Sequence, residues 1–356
     1  MKRARCCDHR ATTLHDAPTD GWLLETGIGE DRAALLKNGQ IAEAHIVRHG
    51  GVKAGLVAPA KLVKTLPGKN RAIIELDGGG QALLSPVPAD ATEGRTLNVE
   101  ITREAISERS RLKLPWAKAS NCAPQPAPSL QDRLIASAMP VRECNAHERD
   151  FLGEAGWHDL IEEARSGIVQ FDGGSLEIFV TAAMTLIDID GEVDAFALCA
   201  AGAKAAASAI RRLQLQGSIG IDFPALTSKS ERAQIADIFD DAMQLDCERT
   251  AINGFGFMQI VMRRTGPSLP ELLQMRAMRA HALELLRQAE RHAAAATNAA
   301  SGAGPTGLFA HPAITGHLSK HPAWIEELMR RSGRSAVLRP NPKLAIGGGY
   351  AATITE

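Results

Sequence analysis

Three aspartates follow two apolar, β-branched segments of the sequence. Asp188 and Asp190 belong to the run Met-Thr-Leu-Ile-Asp-Ile-Asp-Gly, and Asp222 belongs to the run Gly-Ile-Asp-Phe. Each run is typical of a buried strand with a carboxylate at its exposed tip. An Ala-rich helical segment, about residues 197–213, separates them, which predicts a parallel crossover with both tips at one sheet edge. Clustered carboxylates supply oxygen ligands for Mg²⁺, the usual partner of phosphate chemistry.

A metal site for phosphodiester cleavage is the first interpretation of these aspartates. Asp188 and Asp190 are two residues apart on a strand, so both side chains point to the same face. Asp222 would approach them from the neighbouring strand. The attacking group would be a metal-activated water, because no Ser, Cys or His is placed to act as a nucleophile.

A haloacid-dehalogenase-like phosphatase is the second interpretation. Asp188-Ile189-Asp190-Gly191 matches the D-x-D-G letters of its first motif, where the first Asp is the nucleophile and the second the general acid. However, Glu192 follows where Thr or Val is usual, and the motif comes late in this chain. An interpretation as a calcium-binding loop is excluded, because that loop needs Gly at its sixth position and Glu at its twelfth, and this sequence has neither. The structural alternative is that these acids only cap strands and solvate loops.

Composition restricts the function classes. The 356 residues have a net charge of −1, so a nucleic-acid site must be local rather than a general basic coat. Aromatic residues make up 4%, with one Tyr, which argues against an extended base-stacking platform. The six Cys form no C-x-x-C motif, so no zinc ribbon is expected. No apolar run is long enough to span a membrane and no secretory signal is visible, so we expect a cytoplasmic protein without a membrane partner.

Short alternating segments between residues 52 and 116 predict a small β-barrel. A hairpin is predicted at Asn38-Gly39. A short helix is expected near residues 130–139 and a long one over 270–296. Short closing strands are expected at 337–339 and 343–346.

Several segments are similar to a known family. The chain resembles the core of the ribonuclease E/G family in four segments, residues 186–190, 210–215, 217–223 and 254–264. Residues 31–39 resemble its opening hairpin, and residues 60–116 look like its inserted OB-fold RNA-binding module. The resemblance implies an α/β (α+β) fold, with an RNase-H-like and DNase-I-like α/β body interrupted by an OB-type β-barrel and followed by a helical C-terminal segment.

This resemblance gives a domain division. The expected parts are a disordered leader (1–20), the N-terminal part of the RNase-H-like subdomain (21–58), the OB-fold module (59–118), a linker (119–148), the catalytic α/β subdomain (149–268) and a helical C-terminal region (269–356).

The resemblance also implies an activity. It implies a Mg²⁺-dependent endoribonuclease that cuts single-stranded RNA and leaves a 5′-phosphate and a 3′-hydroxyl. The family's two metal-binding aspartates fall on Asp188 and Asp222, and the catalytic set would include Asp190. The family has Asn at the position of Asp190, so this chain adds a negative charge there. Asp190 would become an extra ligand or would repel the approaching phosphate.

This chain departs from the family in other ways. The zinc-link segment is absent, so a homo-oligomer would not be zinc-linked. The region that senses a 5′-monophosphate is largely deleted between residues 117 and 165. The base-stacking Phe positions of the OB module are aliphatic, near Ile73 and Leu83, so RNA binding there would depend on charge. The chain therefore resembles a short, divergent member of the family.

Basic residues near these segments are the RNA-binding candidates. They follow the predicted strand at 97–101 or the one after Phe255, and they are Arg103, Arg109, Arg111, Lys113, Arg263 and Arg264. The alternative is a solvated face, or pairing with surface carboxylates. Two other functions stay open, namely a non-catalytic RNA-binding relative and the phosphatase. A phosphatase would have Asp188 at the start of its domain, with no β-barrel before it.

Overall fold

The computed structural model describes residues 19–68, 70–108, 111–298 and 304–354. The predicted leader lies almost entirely outside the described residues, as does Arg109.

The described chain alternates sheets with helices. Its strands are β1 (Gly21–Thr26), β2 (Glu30–Lys37), β3 (Gln40–Arg48), β4 (Val57–Leu66), β5 (Arg71–Leu76), β6 (Gln81–Leu84), β7 (Thr96–Arg103), β8 (Ile106–Ser107), β9 (Leu112–Lys113), β10 (Trp116–Ala119), β11 (Val141–Glu143), β12 (Ile168–Phe171), β13 (Gly174–Val180), β14 (Thr185–Gly191), β15 (Ser218–Asp222), β16 (Glu248–Arg249), β17 (Phe257–Val261), β18 (Thr306–Ala310), β19 (Ala336–Pro340) and β20 (Tyr350–Thr353). Its helices are α1 (Leu130–Ala136), α2 (Phe151–Glu154), α3 (Trp157–Ser166), α4 (Ala195–Arg212), α5 (Lys229–Ala242), α6 (Leu269–Gln274), α7 (Ala277–Asn298), α8 (Pro312–Ser319) and α9 (Pro322–Ser332).

An N-terminal sheet has the strand order β11-β1-β2-β3. The predicted hairpin joins β2 and β3, and both Asn38 and Gly39 have positive φ, as a tight hairpin turn requires. β11 pairs in parallel with β1, and Leu130 and Leu134 of α1 are buried under the same sheet. Residues 119–148, for which the sequence predicted a linker with one short helix, contain that helix and also the strand β11. The strand was missed because it has only three residues.

A closed five-stranded barrel follows, in the order β10-β6-β5-β4-β7. Its interior is filled by alternate aliphatic residues such as Leu62, Ile74 and Ile101, which are fully buried. This alternation is the pattern from which the barrel was predicted.

The third unit is a six-stranded sheet, ordered β12-β13-β14-β15-β17-β16. β14 and β15 are parallel neighbours joined through α4, as the crossover prediction required. One face buries alternate residues, including Ile187, Ile189 and Ile221, in the main core with α4. Gly202 of α4 lies so close to the sheet that a Cβ there would be 2.7 Å from Ile189. The other face of the sheet is open.

The C-terminal region contains a sheet as well as the predicted helices. The long helix expected over 270–296 is two helices, α6 and α7. Strands β19, β18 and β20 form a three-stranded sheet that packs on α7, α8 and α9. The strand predicted at 337–339 lies within β19, but the one predicted at 343–346 is wrong, because these residues form turns before β20. The central strand β18 was missed because it is short and follows a Gly/Pro-rich stretch.

Buried ion pairs join this region to the N-terminal sheet. Arg32 on β2 donates to Glu284 of α7 at 2.7 Å and to Glu30 at 3.0 Å. Arg287 of α7 pairs with Glu25 on β1, and both side chains are almost fully buried. Among the described helices, none is long and apolar enough to cross a membrane.

Candidate active site

Asp188 and Asp222 are partners across the parallel β14–β15 pair. Neighbouring strands are about 4.8 Å apart, so the two carboxylates lie side by side on the open face of the six-stranded sheet. Both residues are exposed. Asp222 ends β15 as predicted, whereas β14 continues past Asp188 to Gly191 because it also pairs with β13. The two predicted metal ligands, one before α4 in the sequence and one after it, therefore lie side by side in the structure.

The electrostatics of this pair favour a bound cation. Partial burial, followed by the negative charges of Asp222 and Asp190, raises the pKa of Asp188. The part of the rise that comes from Asp222 and Asp190 reflects repulsion between the ionised carboxylates. A divalent cation between Asp188 and Asp222 would remove this repulsion.

Asp190 lies on the same open face but is turned toward its own backbone. Its Oδ1 accepts a hydrogen bond of 2.9 Å from the Gly191 amide. No group of three or more His, Cys, Asp or Glu among the described residues is arranged to hold a metal ion. Mg²⁺ is commonly held by one or two carboxylates and keeps several waters, so the pair Asp188 and Asp222 fits such an ion without Asp190.

Sequence analysis missed the residues that flank the pair. In the same row across the sheet, Glu177 on β13 is opposite Asp188, and Phe257 on β17 is opposite Asp222. Phe255, in the loop before β17, is 90% exposed. The Asn253 Oδ1 accepts from the Phe255 and Phe257 amides at 2.8 and 3.1 Å, which fixes the backbone of this loop. The sequence signal for these aromatic residues was the repeat Gly-Phe-Gly-Phe at residues 254–257. In the structure this repeat lies next to the end of β15.

A cavity of about 710 Å³ opens between this sheet, the β8–β9 hairpin and α6. Glu177 and Phe179 of β13 line one side. Three basic residues, Lys113, Arg165 and Arg264, line it together with three acidic ones, Glu108, Glu177 and Glu271.

Most of the predicted RNA-binding residues have partners inside the protein. Arg103 donates to the Leu114 carbonyl at 2.9 Å, and burial followed by the charge of Arg264 lowers the pKa of Arg103 to about 10. Arg264 is held by both carboxylate oxygens of Glu271. These two side chains are positioned by the fold and have little freedom to follow a ligand.

The remaining basic candidates are more accessible. Arg111 and Lys113 both pair with Glu108 in the β8–β9 hairpin, and the Arg111 side chain is 71% exposed. Arg263 is exposed, makes no ion pair or side-chain hydrogen bond within the described ranges, and lines a second cavity of about 550 Å³. Arg109 lies outside the described residues.

The barrel has an aromatic residue where the sequence suggested only aliphatic ones. Trp116 on β10 pairs with Leu83, which pairs in turn with Ile73. The guanidinium carbons of Arg71 and Arg103 lie 5.0 and 4.9 Å from the Trp116 ring centroid. A base could therefore stack beside a partly exposed Trp held between two cations.

Comparison with known proteins identifies the segment that contains the carboxylate pair. A family model described as the Ribonuclease E/G family matches residues 125–265. Over this segment the chain is similar to the ribonuclease E/G family, which confirms the resemblance found in the sequence. The match includes β14, α4, β15 and β17, so it covers Asp188, Asp222 and Phe255. No curated protein matches the chain.

Proposed function

We propose that the protein is an endoribonuclease that cleaves single-stranded RNA with the help of Mg²⁺. The observation that supports this most directly is the parallel pairing of Asp188 with Asp222, inside the segment that matches a ribonuclease family. The products would be a 5′-phosphate and a 3′-hydroxyl. The body would be RNase-H-like and the barrel an OB-fold.

Asp188 and Asp222 would hold the cation on the open face of the six-stranded sheet. When bound there, Mg²⁺ supplies charge stabilisation at the scissile phosphate and a lowered pKa for the water that attacks it. Asp190 would fix the end of β14 through its bond to the Gly191 amide and add negative charge beside the ion.

Aromatic residues would position the RNA on either side of the cut. Phe255 and Phe257 stand next to Asp222, where an exposed ring can stack on a base. Trp116, with Arg71 and Arg103, would contact the strand on the barrel. Arg263 would contact a phosphate from the second cavity.

A non-catalytic RNA-binding relative is the second candidate. It is favoured by one observation, namely that no third ligand joins the carboxylate pair in the described residues. The phosphatase is disfavoured, because a closed barrel and another sheet precede β14.

The test is cleavage of an end-labelled single-stranded RNA with and without Mg²⁺. The parent is compared with Asp188→Asn and with Glu192→Gln, which removes an exposed charge just beyond β14. We expect Mg²⁺-dependent internal cleavage by the parent and by Glu192→Gln, and a loss of about 10³-fold in Asp188→Asn. Binding without cleavage in the parent would support the non-catalytic relative. Hydrolysis of a small phosphomonoester instead of RNA would support the phosphatase.

A further inference from the structure

The C-terminal sheet has one face in the core and one face open. Leu308 and Ala310 of β18 are fully buried in the cluster formed with α7 and α8. Leu338 and Ala351 pack against the same cluster from the flanking strands. Because side chains alternate along a strand, the residues between them point to the opposite face.

Two rows of side chains lie on that open face. One row is Val337, Gly307 and Ala352, and the other is Arg339, Phe309 and Tyr350. The second row therefore places a guanidinium and two aromatic rings on three adjacent strands.

The two rings are stacked. The centroids of Phe309 and Tyr350 are 5.0 Å apart and their planes differ by 9°. Gly307 makes this arrangement possible, since a Cβ there would lie 2.6 Å from the Phe309 ring. Tyr350 is 45% exposed on the edge strand β20. An aromatic pair therefore has one member accessible to solvent, in a chain with only one Tyr.

The charge of this region is positive. From Gly333 to Glu356 the sequence contains three basic residues, Arg334, Arg339 and Lys343, and one acidic residue, Glu356, and the strands β18, β19 and β20 themselves contain no Asp or Glu. Arg339 is exposed, and no ion pair or side-chain hydrogen bond engages it in the part of the chain that the structure describes. An exposed cation beside an exposed aromatic ring is an arrangement that binds single-stranded nucleic acid, since the ring stacks on a base and the cation binds phosphate.

We propose that the row Arg339, Phe309 and Tyr350 is a second contact site for single-stranded RNA. A base would stack on the Tyr350–Phe309 pair, and Arg339 would bind an adjacent phosphate. This inference rests on the proposed function for the identity of the ligand, and it adds a site outside the segment that matches the ribonuclease family. Three strands offer room for one or two nucleotides, so the site would add affinity and would not cut.

A second copy of this chain fits the face less well. A two-fold contact would bring the Arg339 side chains of both copies toward one another, and the three strands β18, β19 and β20 contain no carboxylate to neutralise them. RNA supplies the missing negative charge.

The single tyrosine makes a direct test possible. Protein labelled with 3-fluorotyrosine has one ¹⁹F resonance, from Tyr350. The full chain is titrated with a single-stranded oligoribonucleotide in EDTA, which prevents cleavage. We expect the resonance to shift on addition of single-stranded RNA and to stay unchanged with heparin, a polyanion without bases. A resonance that does not shift on addition of RNA would overturn the proposal. A resonance that shifts only with protein concentration would also overturn it, because this would indicate self-association.

Variants give an independent measure of affinity in the same buffer. Tyr350→Leu keeps an apolar side chain on Phe309 but removes the ring, and we expect RNA binding to weaken about tenfold. Tyr350→Phe should restore binding. Ile346→Ala, which trims another exposed apolar residue just before β20, is the matched control and should bind like the parent. Equal affinity of Tyr350→Leu and the parent would overturn the proposal.

The cleavage assay separates this inference from the proposed function. If the parent cuts RNA but Tyr350→Leu binds it normally, the second site is wrong and the nuclease stands. If the parent binds RNA through Tyr350 without cutting it, the second site stands and the nuclease is wrong.

Discussion

Two open sheet faces in this protein differ in charge. The six-stranded sheet presents Glu177, Asp188 and Asp222 in one row, with Phe257 beside them. The three-stranded sheet presents Arg339 with Phe309 and Tyr350. Both combine aromatic rings with charge, but only the second attracts a polyanion unaided. The comparison teaches that RNA should need a cation at the first face and none at the second.

Removal of one carboxylate should have the largest effect. If Mg²⁺ binds between Asp188 and Asp222 as proposed, Asp222→Asn removes one of its two protein ligands, and we expect cleavage to fall by about 10³-fold, or about 4 kcal/mol. RNA binding in EDTA should stay equal or become tighter, because a repelling charge has been removed. Filter binding and cleavage on the same protein samples check both results. Weaker binding in EDTA would contradict the assigned role of this face.

Weakening the attachment of the C-terminal sheet should have the next largest effect. Arg32 keeps the pKa of Glu284 below its ordinary value of 4.5 in spite of burial. Glu284→Gln leaves Arg32 short of a partner, and we expect a loss of about 2–3 kcal/mol at neutral pH, less than for a fully buried pair because Glu284 is partly exposed.

The pH dependence of this loss has a definite sign. A lowered carboxyl pKa stabilises the fold above the unfolded pKa, and the stabilisation disappears as the pH falls through the folded value. Urea unfolding of the parent and of Glu284→Gln should therefore differ at pH 7 and converge below about pH 4. A difference that is the same at both pH values would contradict the ion-pair account.

Substitution of Asp190 should have a small effect. Asn can still accept the hydrogen bond from the Gly191 amide, and Asp190 is not needed for a two-carboxylate site. We expect Asp190→Asn to retain cleavage within about fivefold of the parent, since about 1 kcal/mol is at stake. A large rise in the Mg²⁺ concentration needed for half-maximal activity would instead show that Asp190 is a ligand.

The salt dependence of binding should reveal the smallest effect. If Arg339 contacts one phosphate, Arg339→Gln should reduce the slope of log K against log salt by about 0.7. Asp222→Asn should leave that slope unchanged in EDTA. Equal slopes for the parent and Arg339→Gln would mean that Arg339 does not contact a phosphate, which would contradict the proposed difference between the two sheet faces.

The sequence predicted that Asp188 and Asp222 would lie on neighbouring parallel strands, because the signal for this arrangement is local. Each aspartate ends or interrupts an apolar strand, and the Ala-rich helix between them requires parallel pairing. The barrel was predictable for the same reason, since alternation marks each strand. Phe255 and Trp116 were missed because exposure depends on neighbours from distant parts of the chain. The row of Arg339, Phe309 and Tyr350 was missed because three separate short strands contribute one residue each.

Several basic candidates show a second limit of sequence reasoning. Arg103 and Arg264 have the expected charge and lie in the expected segments. In the fold, however, Arg103 lies beside the Trp116 ring and Arg264 pairs with Glu271. A sequence does not reveal which carboxylate or ring will lie beside a given arginine when the partner is far along the chain.

The position of β11 in the N-terminal sheet affects the order in which the chain can fold during synthesis. The five barrel strands, β4 to β7 and β10, all lie between residues 57 and 119, so the barrel can close as soon as residue 119 is available. The edge of β1 stays unpaired until residues 141–143 emerge, and Arg32 stays without Glu284 until α7 is made. We therefore expect the barrel to form early on the ribosome and the earliest-made strands to complete their packing late.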